Sequence, residues 1–381
     1  MRTGVALTAA FVLSAASASS PAQVKPPSLG ELEARARADS NDPQAYFEWA
    51  NALAKDGRYV VAEGVLRTAV QIDPQYAPAL MLLARANDSK VTGLLAVSGR
   101  RIVIMRVDPQ AGETALLRRR AFLIDPLVEV GTPSREQLPT KWRGTLGPAL
   151  QEYEAAHWAQ AAAGFQTVIA RTVRPTDSTK VPPVALWYRA GCALKVNEYD
   201  TAIHYLQWLH RLRMQDSASE RNWNPFAGEE LRYVIAYVHQ LAGRWDEAIM
   251  RYQELLEQNL GLDGAHTHLA EIYEAQGRLN DAVWERVRAI QSNPDATSLY
   301  FNLGATLVAA GRYEEAVASL KKYVDSYPRD ARAFYLIGAS YMNLGNSASA
   351  QTALKSFLAM APSRYAAQIE DANRRLTTLG N

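Results

Sequence analysis

Six histidines, His157, His204, His210, His239, His266 and His268, are the side chains of this 381-residue chain best suited to bind a metal or move a proton near neutral pH. Their spacing argues against both uses. His266 and His268 stand two apart, which on a helix aims them at different faces and makes them poor co-ligands. No pair of histidines four apart carries a glutamate beside the first, as a zinc protease requires. A glycine-rich phosphate loop and a serine nucleophile elbow are also missing from the sequence. The one cysteine, Cys192, lies among Ala190, Gly191 and Ala193 and reads as a small buried filler, with no second cysteine to bridge. Carboxylates are plentiful but suit solvated helix faces. These residues predict a chain that is not an enzyme and that uses no metal and no cofactor.

Charge directs little more. The formal net charge is +2, too small to draw the chain to nucleic acid or an anionic bilayer. The densest positive stretch is Arg118-Arg119-Arg120, with Arg100, Arg101 and Arg106 nearby. It could dock an acidic partner, a lipid headgroup or a polysaccharide, and the small net charge favours the plainer reading of a solvated helix face. At the N-terminus, Arg2, the uncharged run Gly4 to Leu13 and the small-x-small site Ala16-Ser17-Ala18 form the pattern of a secretory signal. The chain is therefore expected to be exported, periplasmic or secreted, with a mature end near Ser19. No later segment has the length of a transmembrane helix.

The elements that must carry these side chains announce themselves by a period. Small residues recur every 34 positions at Ala236, Ala270, Gly304 and Gly338. Seven residues on come Gly243, Gly277, Gly311 and Gly345, and five further Ala248, Ala282, Ala316 and Ala350. Pro294, Pro328 and Pro362 close three of the units, and Ala50, Gly57, Ala62 and Pro74 repeat the offsets near the N-terminus. Each column has a mechanical reason. Two helices cross closely only where bulk is absent, as at Gly304 with Ala316. The second glycine permits a left-handed turn between them. Aromatics at Tyr59, Trp245 and Tyr313 wedge the second helix, and proline ends it.

These columns resemble the tetratricopeptide repeat. The resemblance implies an all-α fold of paired antiparallel helices stacked in a right-handed superhelical solenoid. Units 43–76, 263–296, 297–330 and 331–364 carry the pattern best. Unit 229–262 has Leu260 where the proline belongs, unit 183–216 has Asn197 at the turn, and unit 142–175 has Ala149, Ala156 and Ala161 and the least well made turn. Loop-like interruptions fall at 176–182 and 217–228. A C-terminal cap helix is expected over 365–381, on Ile369, Ala372, Leu376 and Leu379, and an N-terminal helix on Leu29, Leu32 and Ala36. One irregular segment, around 88–141, leaves a decayed repeat and a small β insertion equally open, because Arg101 to Val107 has the β-branched density of a strand.

In the family it resembles, the first helix of each unit lines a concave groove. A stripe read at the corresponding positions gives Phe47 and Asn51, then Leu150 and Tyr153, Trp187 and Leu194, and Tyr233 and Tyr237. It continues through Glu271, with Glu274 beside it, to Phe301, Tyr335 and Met342. This aromatic and apolar stripe suits a peptide or protein partner held by aromatic anchors. The Lys and Asn set of the family's carboxylate clamp is absent apart from Asn51. The plainer reading has the aromatics packing on neighbouring units. The sequence thus predicts a non-enzymatic interaction scaffold. An accessory subunit of an envelope enzyme or polymer-assembly complex, docking through 88–141, is the alternative. A hydrolase seated in 88–141 is weaker still, since that segment has no His and no Cys.

Overall fold

The computed structural model describes residues 26–88, 92–98, 101–107, 110–128, 138, 140–173, 181–215, 228–259 and 261–380. The expected export signal, Arg100 and most of the two loop-like interruptions lie outside them. The described residues form eighteen α-helices and one β-hairpin, divided between two compact units. Unit 1 holds residues 1–128 and 273–381, and unit 2 holds 129–272, so the division falls inside one helix.

Unit 1 begins with α1 (Leu29–Ala38), opened by a capping box in which Ser28 and Glu31 satisfy each other's backbone N–H. The first repeat pairs α2 (Pro43–Lys55) with α3 (Tyr59–Ile72), and the second begins with α4 (Ala77–Asp88). Strands β1 (Thr92–Ser98) and β2 (Arg101–Val107) follow, antiparallel and in register from Thr92 opposite Val107 to Ser98 opposite Arg101. Next comes α5 (Ala111–Ile124), which packs back on α4. Both options that the sequence left open are thus present. The second repeat keeps its two helices, and the hairpin replaces the turn between them. Asp125-Pro126 closes α5 as Asp73-Pro74 closes α3. In each, the aspartate carboxylate accepts the N–H of the residue after the proline, at 2.9 Å from Leu127 and 3.0 Å from Gln75.

Unit 2 contains α6 (Thr140–Glu154) with α7 (Trp158–Thr172), α8 (Pro183–Lys195) with α9 (Tyr199–Gln215), and α10 (Gly228–Leu241) with α11 (Trp245–Gln258). Helix α12 (Asp263–Ala275) runs across the division. Unit 1 resumes with α13 (Leu279–Ser292), α14 (Leu299–Ala309), α15 (Tyr313–Ser326), α16 (Ala331–Asn343) and α17 (Ser347–Met360), and ends on the single helix α18 (Ala366–Gly380).

Seven helix pairs share one turn. Its left-handed residue is Gly57, Gly243, Gly277, Gly311 or Gly345 in five, and Ala156 or Asn197 in the other two, at φ of 61° and 60°. The N–H of the following residue reaches back five positions to close it, as Arg58 to the Leu53 carbonyl at 2.9 Å and His157 to that of Glu152 at 2.9 Å. Asn tolerates this backbone; alanine carries a Cβ strain of about 1 kcal/mol there. The crossing glycines work differently. A Cβ on Gly304 or Gly338 would stand within 2.8 Å of Leu320 or Leu354. The bulk that Gly304 admits is therefore Leu320, not Ala316 as the spacing suggested, because a helical side chain leans back over the turn before it.

One feature of unit 1 breaks the nearest-neighbour rule of stacked repeats. Its first repeat meets its last ones along their inter-repeat loops. Asn41 donates to the Met360 carbonyl at 3.2 Å, and Gln75 to that of Ser298 at 2.7 Å. Asp39 accepts from the backbone N–H and hydroxyl of Ser363, both at 2.9 Å. The charges divide by side, with Asp39, Asp42 and Asp73 facing Arg329, Arg332 and Arg364. Arg332 is the centre. Its guanidinium binds Asp330 through two nitrogens, reaches Asp73 at 2.9 Å, and lies over the Phe301 ring. Tyr323 donates to the same Asp330 at 2.7 Å. Burial pushes the Tyr76 hydroxyl up to about 12, and burial also raises Asp42 despite Arg364 beside it. The centre of this seam, Arg332 with Asp330 and Asp73, is desolvated, so its charges are bound to their partners rather than screened.

Candidate partner-binding surface

The stripe predicted to line a groove meets different fates in the two units. In unit 1 the chain seals Tyr335 and leaves Phe47, Asn51, Phe301 and Met342 half-buried. Phe47 is half-buried with its ring edge on Tyr76, and Asn51 beside it is half-buried too. Phe301 lies between Tyr323 and the Arg332 guanidinium. Tyr335 is only 3% exposed. It packs on Phe357 and donates to Asp371 of α18 at 2.7 Å. Arg375, one turn further along α18, reaches the Met342 sulfur at 3.8 Å. The cap helix thus closes over α16.

In unit 2 the stripe divides into a buried layer and an accessible one. Leu150, Tyr153 and Tyr233, three of the residues expected to meet a partner, are buried within the helix stack. Tyr153 crosses to the next repeat, where it packs edge-on to Tyr188, and a Cβ on Gly191 would meet its hydroxyl at 2.9 Å. The absence of a side chain at Gly191 is thus what makes room for Tyr153. Tyr233, 1% exposed, packs on Tyr252 and on the His268 ring. Trp187, Leu194, Tyr237 and Glu271 remain half-buried on the first helices α8, α10 and α12.

Glu271 is held by a relay across three helices. Tyr252 of α11, wholly buried, donates its hydroxyl to Gln240 Oε1 of α10 at 3.0 Å. Gln240 Nε2 then donates to Glu271 Oε2 of α12 at 3.0 Å. His268 Nδ1 lies 2.9 Å from the same oxygen. A carboxylate accepts only, so Nδ1 carries the hydrogen. The His268 ring is itself fixed, stacked on Tyr252 with 5.6 Å between centroids and tilted against Tyr237 at 5.0 Å. Burial holds the Tyr252 hydroxyl well above its ordinary range, so it stays a donor. The sequence points to Tyr233, Tyr237 and Glu271 but not to His268, whose spacing was weighed only for metal binding and proton transfer. The signal was present: His268 and Glu271 are three apart and share a helix face.

The other chemistry-bearing residues do not converge. Among the described residues no three of His, Cys, Asp and Glu are placed to hold a metal ion. Glu274 accepts from the buried Arg286 at 3.2 Å and from Thr306. The Cys192 thiol is pushed up to about 11 by burial, which keeps it protonated. Of the arginine run, Arg118 pairs with Asp88, Arg120 is half-buried and only Arg119 is exposed. No described helix is long and apolar enough to cross a membrane.

Tandem helix pairs closed by a left-handed turn, with an accessible first-helix face, define a helical-repeat protein. Residues 233–287 and 307–370 match family models of the tetratricopeptide repeat, and the chain is a tetratricopeptide-repeat protein. No curated protein matches it. Among solved structures it is similar to the MamA protein, at 17% identity over 47% of this chain and 91% of that one, with a TM-score of 0.39. It is similar also to YrrB, described as having an unusual peptide-binding site, at 18% identity over 56% and 99% with a TM-score of 0.39. A third likeness is to the C-terminal part of a repeat protein from Cytophaga hutchinsonii, at 14% identity over 61% and 88% with a TM-score of 0.48.

Proposed function

We propose that this chain is an exported, non-enzymatic scaffold that holds a partner polypeptide on the first-helix face of unit 2. One observation carries the reading. Trp187, Leu194 and Tyr237 stay accessible above a wholly buried layer, whereas Tyr335 in unit 1 is sealed by the chain's own last helix. Aromatic side chains fixed from below lose little entropy on binding, which is what partner anchors require. The test is affinity capture from the native envelope with the full chain, comparing Trp187→Ala/Tyr237→Ala with Val60→Ala, a change at a 73% exposed position in unit 1. The double variant should lose a partner that the control retains, at unchanged helicity. An identical captured set from both would end the proposal. Export is tested separately, by fractionation and by the N-terminus of the mature chain, expected near Ser19.

A second reading has the docking element in the hairpin. Its support is that β1 and β2 replace the repeat's own turn and belong to no repeat. Replacing residues 89–109 by a glycine-containing turn separates the two. Loss of the partner with the hairpin favours docking there, and its retention favours the unit 2 face.

A further inference from the structure

We infer that a cleft of unit 1 built around Trp284 of α13 binds a neutral sugar ring, stacked on the indole and hydrogen-bonded around its edge. This goes beyond the scaffold reading and does not rest on the unit 2 face. The cleft has a volume of about 330 Å³, near the lower end of ligand-sized pockets. It is lined by Tyr273 from the end of α12 and by Arg278, Asp281, Trp284, Glu285 and Arg288. Asp281, Trp284 and Arg288 follow one another at one-turn intervals along a single face of α13. Trp284 is 66% exposed, whereas Tyr273 is buried, with the Arg278 guanidinium 4.3 Å from its ring centre. The ring that a ligand can reach is therefore Trp284.

An exposed ring alone would mean little, because single apolar side chains on a surface are ordinary. The repeat makes this one different. The same position of the other units holds Met250, Ala318 and Thr352, so the helix pair does not require an aromatic there. The rim around the ring then narrows the ligand. Arg278 donates to Asp281 at 2.7 Å, and Arg288 donates to the buried Glu285 at 2.9 Å. Two cations and two anions balance, so an incoming anion meets carboxylates and an incoming cation meets guanidiniums. What the rim offers is donors set beside acceptors. Its first ion pair recurs in the next unit as Arg312 with Glu315, but Ala318 stands there in place of the ring. Unit 263–296 adds the indole and Arg288 to it.

A pyranose has the matching shape. One face presents C–H groups that lie flat on an indole, and its edge carries hydroxyls that both donate and accept. An apolar peptide side chain would cover the ring equally well, but it would strip water from the rim without replacing the hydrogen bonds lost.

The experiment uses saturation-transfer NMR on the full chain. Its probes are two neutral tetrasaccharides, cellotetraose and N-acetylchitotetraose, with anionic tetragalacturonate, cationic tetraglucosamine, and a neutral nonapeptide with a central phenylalanine. At least one neutral sugar should bind, with the strongest transfer to its ring C–H protons. Trp284→Leu keeps apolar bulk but loses the flat π face, and should weaken that binding about tenfold. Trp284→Phe should recover part of the loss. Because the side chain is exposed, both variants should keep the helicity of the unmodified chain. Met250→Ala, at a 49% exposed site in the same position of the preceding unit, should leave binding unchanged. Binding of neither neutral sugar, tighter binding of a charged sugar or of the peptide, or neutral-sugar binding unmoved by Trp284→Leu would overturn the inference. Each of these outcomes would leave the unit 2 face standing.

Discussion

The two units are assembled from the same helix pair, with the same left-handed turn and the same small residues at the crossings. They differ in what lies over the first-helix face. In unit 1, α18 seals Tyr335, and the acidic loops of the first repeat dock on Arg329, Arg332 and Arg364 of the last ones. In unit 2 the principal helix contacts are between elements adjacent or nearly adjacent in sequence, and Trp187, Leu194 and Tyr237 stay half-buried, as Phe47, Phe301 and Met342 do in unit 1, without a cap helix or a loop seam described over them. The difference teaches that a repeat specifies its own pair, while availability of its face depends on what the rest of the chain does with its ends.

The largest effect should come from the centre of the seam. Arg332→Met leaves Asp73 and Asp330 desolvated without their counter-charge, and should cost unit 1 about 3–5 kcal/mol in denaturant unfolding. Hydrogen exchange should show the loss in residues 28–88 and 295–380 and spare α8 to α11. A loss below about 1 kcal/mol would mean that charge does not hold the two ends together.

Within unit 2, the buried and accessible layers should separate cleanly. Tyr233→Ala empties a fully packed site and should cost about 3–5 kcal/mol. Tyr237→Ala should cost under about 2 kcal/mol, because its ring is only partly buried. Equal losses in thermal melts would show that the accessible layer is structural, and the contrast with unit 1 would vanish.

A smaller effect has the opposite sign. Ala156→Gly relieves the one left-handed alanine among the turns and should stabilise unit 2 by about 1 kcal/mol, seen as a higher denaturant midpoint. Gly311→Ala in unit 1 should lose about as much.

The smallest effect is read with pH. His239 on α10 is 5% exposed, neither ring nitrogen has a side-chain or backbone partner, and burial, with Arg251 and Arg244 nearby, lowers its pKa. A histidine whose folded pKa is depressed takes up protons first in the unfolded state. Stability is therefore whole above the unfolded pKa of about 6.5 and declines as pH falls below it, until the folded group also titrates. Unfolding midpoints at about pH 7.5 and 5 should show this decline, and His239→Leu should remove its share. A variant with the same pH dependence would clear His239 of the effect. In unit 1 the corresponding acid-side loss should come later. Burial alone would raise Asp371, but hydrogen bonds from Tyr335 and Arg375 take it below the ordinary aspartate range, so its contribution fades only as pH falls through that lowered value.

Much of this was legible in the residues. The glycine column predicted the turns one by one, including the poor one at Ala156, because a left-handed backbone is a local demand met by a local residue. The stripe was legible as positions but not as exposure. Tyr233 and Tyr237 are both tyrosines on one helix four apart, and only the neighbours on α11 and α12 decide that one is sealed and the other accessible.

The sequence by itself determined the helix pairs, their turns and the family, since each column is satisfied within about 34 residues and repeats until it cannot be missed. The tertiary structure alone decided the seam between Asp73 and Arg332, the hairpin in place of a turn, and the grip of Gln240 and His268 on Glu271. Those contacts join residues distant in sequence or on different helices, whose pairing follows no period. Their energies depend on a burial that exists only once the helices have stacked.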